Sequence, residues 1–200
     1  MIKAQSKFSI IPGLFYNGAG FSDEVNGFGL IVGLEYMQRQ NHFFSIELRT
    51  KYGYYFFDDG IGWSFDAGDN QWNPPKNPGE ARVKYSLFSP QIGAVPKFHY
   101  HLDETFSLFL ENEFSVGLMK GSFEYKGLSD KVNFTEPIFY YYIGAGIEYQ
   151  LSDWSLLGSI GYSTLNFRDK IRKHQPMGYT GWIPNQSAGL LINVIFKIPL

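Results

Sequence analysis

The chain has no cysteine, little charge and no long apolar run, and each shortage excludes something. Without cysteine there is no disulfide framework and no thiolate metal site. Charged residues are only 18% of the chain, and a formal net charge of −2 leaves no basic field for nucleic acid. No stretch reaches the ~20 consecutive apolar residues that a membrane-spanning helix needs. Nothing reads as a linker, so 1–200 is expected to form one domain with an N-terminal tail over 1–6. Met1-Ile2-Lys3-Ala4-Gln5 lacks the charged and apolar regions of a secretory signal, and the chain is read as the mature form of an exported protein.

What is abundant points to β structure. Aromatics make up 18% of residues, and there are 22 glycines, which are costly inside helices. Period-2 alternation recurs along the whole chain. In 27–36, Phe28, Leu30, Val32, Leu34 and Tyr36 share one face, while Gly27, Gly29, Ile31, Gly33 and Glu35 share the other. In 44–56 the greasy face continues through Phe44, Ile46, Leu48, Tyr52, Tyr54 and Phe56, against Ser45, Glu47, Arg49, Lys51 and Gly53. Segments around 8–16, 92–100, 106–118, 139–149, 154–162 and 190–200 follow the same rule, for eight strands in all. The breaks are short at 38–41, 101–105 and 151–153, and long at about 17–26, 57–83, 120–136 and 168–186. Short turns at one end and long loops at the other predict an eight-stranded antiparallel up-and-down transmembrane β-barrel, with both termini at the short-turn end.

Alternation alone does not say which face is outside. Eight strands enclose a space that side chains only just fill. Five or six large residues from every strand would overfill it, whereas Gly, Ser and a few charged groups would fit. A β-sandwich has more core volume, but it does not explain aromatics at the strand ends: Tyr16, Tyr36, Phe44, Tyr52, Tyr54, Tyr100, Phe106, Tyr149 and Trp154. Two aromatic girdles at bilayer interfaces do.

These strands resemble the small outer-membrane β-barrel family of the OmpA transmembrane domain and OmpX, in the glycine-rich, long-looped form common in Bacteroidetes. The last strand, Ser187-Ala188-Gly189-Leu190-Leu191-Ile192-Asn193-Val194 with Ile195-Phe196, resembles the C-terminal signal read by the barrel assembly machinery. It departs from that signal by ending in Lys197-Ile198-Pro199-Leu200. The resemblance implies a Gram-negative outer-membrane location, contact with outer-membrane lipid and lipopolysaccharide, and no cofactor or bound metal.

The inward face would carry Glu35, Glu47, Arg49, Lys51, Lys97, His99, Glu111, Glu113, Glu148 and Lys197. Charges in a narrow lumen must pair, so the reading is a salt-bridge plug rather than a gated ion path. The Glu111/Glu113 pair is then explained by a cation such as Arg49 or Lys51 instead of acid–base chemistry. Some small barrels modify lipid A, which would need a His near a Ser and a carboxylate at the rim. Of His42, His99, His101 and His174, only His174 lies in a long loop, without a His-x-Ser signature. The chain is therefore expected not to be an enzyme.

The acidic residues of loop 57–83 (Asp58, Asp59, Asp66 and Asp69) do not have calcium-loop spacing. Trp63 and Trp72 in that loop, and Trp182 in 168–186, are candidates for docking a protein or glycan, or for packing on the rim. Arg172 and Lys173, with Arg168 and Lys170, are candidates for lipopolysaccharide phosphates. The role expected is structural, or binding through the loops. The alternative is an accessory subunit of a larger outer-membrane complex, contacting another membrane protein through its wall, and a lipid A-modifying enzyme ranks below both.

Overall fold

Every backbone N–H and C=O in a hydrocarbon layer must find a partner within the protein, and a sheet achieves that only by closing on itself. The computed structural model describes residues 8–18, 26–37, 43–58, 64–66, 71–73, 83–125, 131–166, 168–174 and 189–200. In chain order the elements are β1 (Phe8–Gly18), β2 (Asn26–Met37), β3 (Phe44–Asp58), β4 (Ser64–Asp66), β5 (Gln71–Asn73) and β6 (Val83–His101), then β7 (Phe106–Tyr125), β8 (Lys131–Gln150), β9 (Ser155–Ser163), α1 (Arg168–Lys173) and β10 (Gly189–Pro199). Eight of the strands form a closed antiparallel barrel in the order β1-β10-β9-β8-β7-β6-β3-β2, and β4 and β5 make a separate hairpin. Among the described residues, no helix is long and apolar enough to cross a membrane.

The short turns are built locally. Asp103 accepts hydrogen bonds from the Thr105 and Phe106 amides at 2.6 and 2.7 Å, an Asx turn that sends the chain from β6 into β7. The Leu151 amide donates to the Trp154 carbonyl at 2.8 Å and closes the turn between β8 and β9.

The barrel is apolar outside. Leu14, Leu30, Leu48, Leu110, Ile147 and Ile160 all stand exposed on its outer wall. At the short-turn end, ring pairs tie neighbouring strands together: Phe8–Tyr36, Phe44–Phe98, Phe106–Tyr149 and Trp154–Phe196, with centroids 4.8 to 5.5 Å apart. Phe28–Tyr54 pairs toward the other end, and Phe114–Tyr141 nearer the middle of the wall.

Two expectations need correcting. The loop placed at 120–136 is mostly strand, because β7 runs on to Tyr125 and β8 begins at Lys131. Outward residues there, such as Lys120, Asn133 and Thr135, are polar, so apolar alternation stops while backbone pairing continues into water. Twenty residues at ~3.3 Å each make these strands longer than a bilayer is thick. Likewise the segment 168–186 opens with the helix α1, and 57–83 contains the β4–β5 hairpin.

The second correction concerns the lumen, which is not filled by small and charged residues alone. Ile11, Phe15, Ile31, Tyr55, Leu87, Met119, Phe134, Tyr140 and Tyr142 are among those forming a buried apolar cluster inside it. Inward glycines make the room. A Cβ on Gly27 would lie 2.0 Å from the Tyr55 ring, and one on Gly121 would lie 2.1 Å from Phe134. Glycine on one strand is thus the socket for a ring on a strand nearby.

Candidate functional site

Strand alternation points Glu47, Arg49 and Lys51 of β3 inward together, and closure brings β7 within reach of them. The Arg49 guanidinium binds Glu47 through Nε at 2.7 Å and Nη2 at 2.8 Å. It also reaches Glu111 at 3.0 Å and Glu113 at 3.1 Å. Lys51 Nζ lies 2.6 Å from Glu113, and Lys97 Nζ lies 2.7 Å from Glu47. Glu111 also accepts from Ser159, and from Tyr142 and Asn193 at 3.3 Å. Glu113 accepts from Tyr140, and from Ser115 at 2.7 Å. Glu35, Glu47, Arg49, Lys51, Lys97, Glu111 and Glu113 are each at most 1% exposed. The layer is a cross-linked disc of charge rather than a lining around water.

The apolar cluster meets this layer at Lys51, whose ammonium sits 5.4 Å from the Phe15 ring and 5.7 Å from those of Tyr140 and Tyr142. Sequence reasoning put Tyr140 and Tyr142 on the inward face without a role. The same alternation puts Ser159 and Asn193 on the inward face, but a single polar residue in a period-2 pattern carries no signal of its partner.

Toward the short-turn end the network continues more loosely. Lys197 lies 3.4 Å from Glu35 and 3.3 Å from Glu148, and His99 lies 3.7 and 3.6 Å from the same two carboxylates. Ser45 Oγ is 2.8 Å from His99 Nε2, so Ser45, His99 and Glu148 fall in the order of a nucleophile, base and acid. The hydrogen bonding runs the other way. Ser45 gives its only proton to Glu35, so it accepts from His99, and it is 0% exposed. In that arrangement His99 donates to Ser45 and takes no proton from it.

At the long-loop end a second cluster holds α1 to the rim. Glu136 of β8 binds Lys173 Nζ and His174 Nε2 at 2.8 Å each, with Lys170 at 3.8 Å. The His174 ring stacks on Phe134 at 4.6 Å. The Lys173 ammonium, followed by His174, holds the Glu136 carboxyl well below the usual range, at about 2. Lys173 is therefore turned onto the barrel's own rim. Arg172 lies in α1 and Trp72 in β5 with side chains outside the described residues, as are Trp63 and Trp182 altogether. Among the described residues, no group of His, Asp and Glu side chains could hold a metal ion.

An apolar outer wall, aromatic rings along it and a charged disc inside define a transmembrane β-barrel of the small eight-stranded type. Comparison with solved structures supports the fold. No protein-family model and no curated protein sequence matches the chain. Among solved structures it is similar to Neisserial surface protein A, with a TM-score of 0.54 at 11% identity, over 99% of this chain and 100% of that one. The attachment invasion locus protein Ail of Yersinia pestis aligns over 96% of both chains, at 12% identity and TM-score 0.46. The same protein in complex with the heparin analogue sucrose octasulfate aligns at 13% and 0.48. The likeness of fold rests on the first of these.

Proposed function

We propose that this chain is a non-enzymatic integral protein of a bacterial outer membrane, with a structural or binding role exercised through its ends rather than its lumen. One observation carries the reading: the seven residues of the central charged disc are at most 1% exposed and linked by ion pairs, from Arg49 and Lys51 to the β7 glutamates and from Lys97 to Glu47 and, at 3.7 Å, to Glu35. Eight strands leave no space for a water path beside such a disc. The short-turn end then faces the periplasm and the long-loop end the outside. Outer-membrane lipid, lipopolysaccharide beside the basic segment 168–173, and the barrel assembly machinery during insertion are the contacts this placement supports.

The test is expression behind a signal sequence in a Gram-negative host, followed by fractionation and planar-bilayer recording. The chain should fractionate with the outer membrane, shift in gel mobility on boiling, and produce no steady conductance steps. Reproducible steps would make the lumen a pore and overturn the reading. Recovery as a soluble protein would overturn the location.

A further inference from the structure

On the outer face of β7 the residues run Phe106, Leu108, Leu110, Asn112, Phe114, Val116, Leu118. Three apolar residues lie on each side of Asn112, so its amide sits near the middle of the apolar belt. Asn112 Oδ1 accepts a hydrogen bond from the Tyr141 hydroxyl on β8. The two N–H groups of its Nδ2 have no partner among the described residues. An amide without partners in hydrocarbon is costly, which makes this position unlike its neighbours. Thr50, also on the outer wall, shows the ordinary remedy: its hydroxyl donates to the Val32 carbonyl at 3.0 Å.

The backbone beside Asn112 is also incomplete. Pairing between β6 and β7 runs from Ala94↔Phe114 to Lys97↔Glu111 and skips the stretch between, where Pro96 stands opposite Asn112. Proline brings no N–H to a ladder. Beside Asn112 the wall is low at Ala94 and Pro96 on β6 and at Ala145 on β8, between the half-exposed Phe98, Leu110, Phe114 and Ile143. Small residues let a second wall approach closely.

From this we propose that the β6–β8 wall is an interface for a second copy of this chain, with Asn112 meeting its counterpart. The occupant follows from the chemistry. The spot is uncharged, and an amide carries both donors and acceptors, so two copies related by a two-fold axis satisfy each other. The proposal rests on the membrane-spanning reading above.

The test places a photoreactive benzophenone amino acid at Phe114, beside Asn112, in one tagged copy co-expressed with a differently tagged copy in whole cells. Leu14 on β1, four strands away around the barrel, is the control position. Irradiation should join the two tags from Phe114 and not from Leu14. Asn112→Leu should cut that product about tenfold, the scale of one or two hydrogen bonds within a membrane. An adduct with a different protein, no adduct, an equal yield from Leu14, or a product untouched by Asn112→Leu would each overturn the proposal. The boiling shift, read on the same samples, reports separately whether the barrel itself has formed.

Discussion

Arg49 on β3 reaches past β6 to Glu111 and Glu113 on β7, at 3.0 and 3.1 Å, so one guanidinium links strands that share no ladder. Its fork geometry suits several carboxylates at once, which an ammonium cannot reproduce. Arg49→Met leaves Glu47, Glu111 and Glu113 facing one another with less compensation. We expect a loss of about 3–5 kcal/mol, the cost of breaking a buried ion pair from one side. Urea unfolding in detergent, followed by the boiling-shift assay, measures it. A loss under about 1 kcal/mol would be the value of an exposed pair and would mean the disc is hydrated.

The wall has a test of its own. Val32, mid-way along the outward face of β2, is 50% exposed, which on a water-facing surface would make Val32→Arg close to neutral. Facing lipid near the midplane, the same change should cost about 2–4 kcal/mol. Unfolding from lipid vesicles separates the two outcomes.

Gly27→Ala should destabilise the barrel by about 1–3 kcal/mol, the usual penalty for overpacking, because its Cβ would stand 2.0 Å from the Tyr55 ring. Removing the ring should reverse the sign of the effect. In a Tyr55→Ala background, Gly27→Ala is expected to be neutral or better, and two equal penalties would show that the sites do not touch.

At the rim, Glu136 titrates near 4.5 when free and near 2 in the fold, so its stabilising contribution to α1 is complete above pH 4.5. It is lost as the pH falls from 4.5 toward 2, when Glu136 releases Lys173 and His174. The protection factors of the α1 amides, which divide out the pH dependence of free-amide exchange, should therefore fall across that window and stay flat in Glu136→Gln. A wild-type profile that is equally flat would mean that other contacts hold the helix.

The sequence by itself determined the architecture, because the period-2 pattern records which side of every strand meets hydrocarbon. Phe28, Leu30, Val32 and Leu34 against Gly27, Gly29, Gly33 and Glu35 allow one assignment of faces once volume is counted. The same alternation placed the lumen charges on one surface. It could not say that Arg49 would bind Glu111 and Glu113, or that Ser45 would lie between Glu35 and His99. Those meetings depend on strand order and register, which are properties of the closed sheet. Strand ends above the bilayer were misread for a related reason. Past Leu118 the outward residues turn polar and alternation fades, although the ladder from Lys120↔Thr135 to Glu124↔Lys131 continues. The sockets at Gly27 and Gly121 likewise exist only once a ring from another strand has filled them. Local pattern encodes solvent; long-range pairing needs closure, and only the tertiary structure supplies it.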